Sequence, residues 1–306
     1  MLETLTGFVV VGVAIIVGYV LARIDLLGEH ARPVLSRLVF FVLSPFLLFT
    51  VLAHADATML FSSLLPVSAI AAVVVILIHT LVARFAWRRS VAETTIGALS
   101  AGQVNSNNIG LPLSLYLLGS AAFPAPVILL QLLVFTPVSL TTLDAATAER
   151  TSLRRTLLRT ATNPIIIGAL LGTLVSVTGI QLPEIVLAPA QLIADAAVPV
   201  LLISYGMSLH GQRVLGTQGH RRDVVVASIL KLAVMPLVAW VFAQFVFGLT
   251  AHEVLIVTVL AALPTAQNVF NYSQRYGVGE AISRDTVFLT TIGCLPVLLL
   301  IMLLLG

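Results

Sequence analysis

The feature that most constrains this chain is a series of long apolar runs joined by short connections, with basic residues in every second connection. A membrane span needs about 20 apolar residues. On that unit the sequence predicts helices near residues 5–24, 34–53, 64–86, 93–118, 124–143, 164–181, 187–209, 223–247, 252–276 and 284–305. Because 59% of the residues are hydrophobic and only 9% are charged, a soluble domain is excluded. We therefore expect an all-α polytopic membrane protein with ten transmembrane helices.

The distribution of basic residues predicts how these helices are oriented. All 16 Lys and Arg residues except Lys231 lie in or beside the odd-numbered connections, and the even-numbered connections have none. Short cytoplasmic connections retain Lys and Arg, so we expect the odd connections to be cytoplasmic and both termini to lie outside the cell inner (plasma) membrane. The first run lacks a basic leader and is predicted to be retained as a helix. Topology also accounts for the net charge of +3, so the expected partner is the lipid bilayer and not nucleic acid.

Five helices in each half of the chain predict an inverted repeat, because an odd number of spans reverses the orientation of the second half. The predicted boundaries are residues 1–143 for the first repeat, 144–163 for a cytoplasmic linker and 164–306 for the second repeat. A shift of about 160 residues superimposes the fourth and ninth helices and lays Asn108 over Asn268. Leucines and arginines alternate over residues 150–159, which is typical of a simple positive linker or of a short amphipathic helix on the inner leaflet.

Two predicted spans contain residues that an ordinary lipid-facing helix avoids. They are QVNSNNIGLPLSLYLLG at 103–119 and LPTAQNVFNYSQRYG at 263–277. Buried amides without partners are costly, and Pro and Gly weaken a helix. Such segments persist only where they line protein or a wet cavity, and paired interruptions indicate the binding site of a transporter. The candidate substrate-binding residues are Asn105, Asn108, Gly110, Pro112, Pro264, Gln267, Asn268 and Asn271, with the prolines expected to create the breaks.

The chemistry of these interruptions favours a small organic anion. A helix that restarts within the membrane exposes unpaired N–H groups and about half a positive charge, which suits a carboxylate. Asn and Gln side chains cap such ends or bind substrate oxygens without adding fixed charge. The alternative is that the amides only repair the backbone at two kinks. We expect Asn105 and Asn268 to contact the substrate or to cap its site.

Asp195 and Lys231 are each predicted to lie about eight residues into a span. Lys231 either reaches the interface with its long side chain or serves as a charge partner or anion attractor. Asp195 pairs with Lys231, carries a proton or lies in a wet vestibule. His79 is expected at the interface, and Gln131 either lines the substrate path or bonds a neighbouring helix.

The motifs around the two interruptions resemble those of the auxin efflux carrier family. In GQVNSNNIGLPL, Asn105 is followed five residues later by a Gly-Leu-Pro step, and PTAQNVFNYSQRYG has Asn268 four residues after Pro264 and closes on Tyr-Gly. AAVPVLLISYGMSL resembles the seventh helix of the family. Asn107, Asn108 and Asn271 depart from the family pattern, in which small or apolar residues are commoner, so no member's substrate preference is carried over.

This resemblance covers the whole chain and implies the compact prokaryotic type. It implies a five-plus-five inverted repeat like that of bile acid/sodium symporters, in which a panel domain and a core domain with two broken, crossing helices are each built from both repeats. Family members move organic anions, such as auxin in plants and dicarboxylates in bacteria, and a homodimer is compatible with the resemblance.

We therefore expect a secondary active or facilitative transporter of small mono- or dicarboxylates that works by alternating access, without cofactor or metal. The alternative is a cation/proton antiporter or a sodium-coupled symporter of the same fold. The lack of Asp and Glu in both interruptions counts against cation exchange, which needs an ionisable group. The sequence lacks the motifs for metal binding or nucleophilic attack that an intramembrane enzyme would have. Counterflow would distinguish a carrier from a channel.

Overall fold

The computed structural model describes residues 2–28, 30–55, 64–147, 161–211 and 219–306. The described residues form helices joined by turns and irregular connections, with one isolated β-bridge between Val104 and Thr265. In chain order the helices are α1 (Leu2–Arg23), α2 (Pro33–His54), α3 (Leu64–Ala86), α4 (Val91–Gly102), α5 (Leu111–Leu118, preceded by a π-helical turn at Ser106–Gly110), α6 (Ala125–Thr147), α7 (Pro164–Thr178), α8 (Glu184–Leu209), α9 (Arg221–Val246), α10 (Ala251–Ala262), α11 (Gln267–Tyr276) and α12 (Glu280–Leu305).

Six helices of the described part are long and apolar enough to cross a membrane: α2, α3, α6, α8, α9 and α12. Shorter apolar helices lie at Val9–Arg23, in α7 and in α10. The predicted spans 93–118 and 252–276 are each interrupted, since extended residues separate α4 from α5 and α10 from α11. The predicted linker begins at residue 144, but α6 continues to Thr147, and the possible amphipathic helix at 150–159 lies outside the described residues.

The described residues form two compact units, and each unit draws on both halves of the chain. The first takes residues within 1–62, 107–128 and 158–212. Its helices touch through glycines: a side chain at Gly18 of α1 would collide with the Ile203 carbonyl of α8, and one at Gly168 of α7 would collide with the Pro45 carbonyl of α2. Without side chains at these positions the backbones approach closely, which is how helices associate when lipid removes the hydrophobic driving force.

The second unit takes residues within 63–106, 129–157 and 213–306. It contains the extended residues of both interruptions, whereas α5 belongs to the first unit. A series of local features recurs in the second unit after 160 residues. A π-helical turn ends α3 at Val82–Ala86 and α9 at Phe242–Val246. A capping box then begins the next helix in both places, from Ser90 to Glu93 and from Thr250 to Glu253. The same local chemistry therefore positions α4 and α10, the two helices that lead into the interruptions.

Candidate functional site

The two interruptions in the second unit pair with each other as a short antiparallel ladder. The backbone N–H of Asn105 donates to the Pro264 carbonyl at 2.8 Å, and the N–H of Ala266 donates to the Gln103 carbonyl at 3.0 Å. Val104 and Thr265 form the bridge between these bonds. The backbone groups freed by breaking both helices thus satisfy one another, as a buried environment requires.

The outer edge of the first extended segment is held by a single side chain, that of Gln131 on α6. Its Oε1 accepts from the Val104 N–H at 2.8 Å, and its Nε2 donates to the Val104 carbonyl at 3.0 Å. Nε2 also lies 3.4 Å from the Ser106 hydroxyl. The amide imitates a neighbouring strand, because it offers one donor and one acceptor at the spacing of a peptide group. The sequence predicted that Gln131 lines the substrate path or bonds a neighbouring helix, but its partner is the extended segment that follows α4.

Hydroxyl groups hold the second extended segment. The Thr265 N–H donates to the Thr290 hydroxyl on α12 at 3.0 Å, and the Thr265 hydroxyl donates to the Ser100 carbonyl in the last turn of α4 at 2.6 Å. All three residues are fully buried. Side chains of the same unit therefore bond the backbone of Val104 and Thr265, and the paired segments are a built feature of the fold.

Helix α11 begins immediately after this pairing and presents an amide-rich face. Its N-cap is Ala266, which has no side-chain acceptor for the N–H groups of the first turn. Gln267 is half-buried, whereas Asn268 and Asn271 are exposed. Arg275 follows on the same face, four residues after Asn271, and is also exposed. The start of α11 thus combines an uncapped helix N-terminus with neutral hydrogen-bonding side chains.

The predicted site residues are divided between the two units. Asn105, which is 4% exposed, and Pro264, Gln267, Asn268 and Asn271 belong to the second unit. Asn108, Gly110 and Pro112 belong to the first unit, where Asn107 donates to the Ser44 hydroxyl at 3.2 Å and to Oδ1 of Asn108 at 3.0 Å. Within the second unit the structure directly joins Asn105 to Pro264.

The expectation that proline creates both breaks is wrong for Pro112. The extended residues of the first interruption are 103–105, whereas Pro112 lies in the first turn of α5, after the π-helical turn. There its missing N–H falls beside the π-helical turn and outside the extended segment. The first break is stabilised by Gln131 and by the pairing with Pro264, so it does not need a proline of its own.

The two ionisable candidates also lie in different units. Asp195 is exposed in the first unit, and its Oδ1 accepts from Nε2 of Gln191 at 2.6 Å. Lys231 is fully buried in the second unit, and its Nζ donates to the Ala261 carbonyl at 2.6 Å. Lys231 therefore does not reach the surface with its side chain.

Three further features of the second unit were not predicted. His79 is fully buried, and a side chain at Gly97 of α4 would collide with its ring. Arg89 makes an ion pair with Asp223 at the start of α9, with a shortest distance of 2.6 Å, and these hydrogen bonds raise the pKa of Arg89 above its ordinary value. The Tyr276 hydroxyl donates to Asp144 at 2.6 Å and fixes the end of α11 against α6. For the ion pair, the available sequence signal is the presence of arginines directly before the capping box near residue 90.

The apolar spans and the paired helix interruptions define a multi-pass membrane protein of the transporter class. Residues 5–145 and 138–302 match the model of a family described as membrane transport protein. The chain belongs to this family, the auxin efflux carrier family. It is also 25% identical over 284 residues to an uncharacterized transporter of Methanothermobacter thermautotrophicus, and the match covers 92% of this chain and 91% of that protein.

Proposed function

We propose that this protein is a secondary active or facilitative transporter of small organic anions, with mono- or dicarboxylates as substrates. The observation that carries the proposal is the pairing of two helix interruptions directly before the uncapped start of α11. Family membership supports transport, and the geometry of this segment supports the substrate class. Asn105 and Asn268 bind the substrate or cap its site, and Pro264, Gln267 and Asn271 of the same unit complete its surroundings. The substrate contacts predicted for Asn108, Gly110 and Pro112 of the first unit stay predictions.

The charge of the interruptions favours an anion over a metal cation. The stretches 103–119 and 263–277 contain no Asp or Glu, so they lack the acidic ligand that a membrane cation site needs. A helix N-terminus instead stabilises negative charge within its first turn. Amide groups at Gln267 and Asn268 add donors that orient a carboxylate through hydrogen bonds. The site thus permits both binding and release.

Alternating access fits the internal repetition of the chain. The π-helical turns and capping boxes recur after 160 residues, which supports two repeats at residues 1–143 and 164–306 joined by a cytoplasmic linker. We infer ten transmembrane helices with two broken, crossing pairs, α4 with α5 and α10 with α11. The protein lies in the plasma membrane with both termini outside, and the unit that holds the paired segments moves as the core domain during transport.

Uptake by the purified protein in proteoliposomes tests this function. A panel of radiolabelled mono- and dicarboxylates is offered with sodium and pH gradients applied separately. The wild type is compared with Asn105→Ala and Asn268→Ala, and with Gln244→Ala, which removes an exposed amide near the end of α9. We expect saturable uptake of at least one carboxylate by the wild type and the Gln244 variant, and loss of most uptake in the two asparagine variants.

The same experiment identifies the failures. If no carboxylate enters, or if both asparagine variants transport normally while folded, the amides only repair the backbone and the proposal is wrong. Uptake that needs a sodium gradient would instead favour a sodium-coupled symporter of the same fold. Proton movement in exchange for a metal cation, without carboxylate flux, would indicate an antiporter.

A further inference from the structure

Lys231 is placed where the α10 helix ends beside the paired segments. It is 0% exposed, and its ammonium donates to the Ala261 carbonyl at 2.6 Å and lies 3.3 Å from the sulfur of Met235. Ala261 belongs to the last turn of α10, so its carbonyl has no partner within the helix. Ala261 precedes Pro264 by three residues, which limits the distance along the chain to about 11 Å. The amine of Lys231 thus lies at the negative end of the helix that leads into the candidate site.

Satisfying this carbonyl does not by itself require a charge. The other interrupted helix, α4, also ends beside the bridge, and the Ser100 carbonyl lies in its last turn, as the Ala261 carbonyl lies in the last turn of α10. Ser100 accepts from the neutral hydroxyl of Thr265 at 2.6 Å. A hydroxyl is therefore sufficient for a last-turn carbonyl at the first break, whereas a last-turn carbonyl at the second break accepts from the amine of Lys231.

Burying an ammonium is costly unless the charge is compensated. Within the described residues of its own unit, no carboxylate oxygen lies within 4.0 Å of Lys231, so a helix C-terminus and a thioether are its visible partners. Lys231 is also the only lysine among the 16 Lys and Arg residues of the chain. Its ammonium is a compact charge, comparable to a small bound cation, whereas the arginines of the chain carry a planar guanidinium.

We propose that Lys231 is a resident cation of the transport site, which takes the place of a bound metal ion at the end of α10. It neutralises the carbonyl end of that helix and supplies the positive charge that a small carboxylate needs when it binds at the start of α11. The carrier accordingly works without sodium or any other metal cation. This inference rests on the proposed function for its consequence in transport, and on the Lys231 contacts for the cation itself.

The transport test compares carboxylate uptake in sodium, potassium and N-methylglucamine chloride at equal ionic strength. The wild type should transport equally, within twofold, in all three salts. Lys231→Met keeps the length of the side chain but removes the charge, and we expect at least a tenfold loss of uptake. The matched control is Leu237→Met, which introduces the same side chain at a 56% exposed position of α9 and should stay within twofold of the wild type. Sodium-dependent wild-type uptake, or full activity of the folded Lys231→Met variant, would overturn the proposal.

A second measurement decides the proposal without relying on transport. Lys231→Ala removes the atoms equivalent to propylammonium, so its thermal unfolding is followed with added propylammonium chloride or with 1-propanol, which has the same size but no charge. We expect propylammonium to raise the unfolding temperature of this variant and not that of the wild type, and 1-propanol to have no such effect. If the amine and the alcohol act alike, no cation is needed at this position and the proposal is wrong, whether or not the wild type transports a carboxylate.

Discussion

The amide of Gln131 bonds both the N–H and the carbonyl of Val104, at 2.8 and 3.0 Å, and so completes the outer edge of the paired segments. We predict that Gln131→Met lowers the free energy of unfolding by about 1–3 kcal/mol, because the buried Val104 N–H is left without an acceptor. The Val104 carbonyl keeps a bond from the Ser106 N–H, which limits the loss. The free energy of unfolding, measured with denaturant, and the uptake rate should both decline in the same preparation.

The control for this prediction is Leu133→Met on the same helix. Leu133 is 49% exposed, so its replacement should change neither stability nor uptake. A Gln131→Met protein that unfolds and transports like the wild type would show that the extended segment is held by its partner segment alone.

The ion pair between Arg89 and Asp223 should stabilise the contact between the N-terminal ends of α4 and α9. Asp223 is 1% exposed, and removing Arg89 leaves this carboxylate buried without its cation. We predict that Arg89→Gln costs about 3 kcal/mol of stability. Adding Asp223→Asn should recover part of this loss, which a double-mutant cycle measures. Arg88→Gln removes the same charge from an exposed neighbour and should be nearly neutral. Equal effects of the Arg88 and Arg89 substitutions would rule out a specific pair.

Much of the fold was predictable, because membrane length, charge alternation and interruption are all encoded locally. The sequence predicted the helical segments from apolar runs, and it predicted the interruption within 93–118 from amide side chains inside such a run. It did not predict that residues 103–105 form the first break, because an extended segment requires partners that are distant in sequence, such as Gln131 and Pro264. A proline seven residues away was the more visible signal, and it was misleading.

The environment of Lys231 was also beyond the sequence. Its depth in the span was predictable from the residue count, but whether it reached the interface or remained buried depended on contacts with α10. The same holds for His79, which is close to a predicted helix end and yet is packed against Gly97. Local patterns give the position of a polar residue along a helix, and tertiary packing decides which direction its side chain takes.

The contact between α1 and α8 should depend on the absence of a side chain at Gly18. We predict that Gly18→Ala destabilises the protein by about 1–3 kcal/mol, because the added methyl group collides with the Ile203 carbonyl. Gly12→Ala on the same helix meets no atom within 4 Å and should be neutral or slightly stabilising. The two variants are compared by denaturant unfolding, and equal stability would mean that the helices adjust without cost.

Arg275 shares the exposed face of α11 with Asn268 and Asn271 and should attract an anionic substrate. We predict that Arg275→Gln lowers the initial uptake rate several-fold at low ionic strength, and that the difference narrows as salt screens the charge. Arg222→Gln removes an exposed arginine near the start of α9, on the side of the membrane predicted for Arg275, and should have a smaller effect. A loss that is independent of salt would point to a structural role through the Tyr276 ring, which lies 5.1 Å from the guanidinium carbon.

Counterflow in proteoliposomes tests the central claim most directly. Vesicles are loaded with an unlabelled small carboxylate and diluted into a trace of the labelled compound, with no ion gradient. A carrier with one alternating site exchanges the two, so we predict a transient accumulation of label above equilibrium in the wild type and its loss in Asn268→Ala. Label that only equilibrates, or that enters without saturation, would contradict an alternating-access carrier, and the absence of any carboxylate movement would contradict the substrate class.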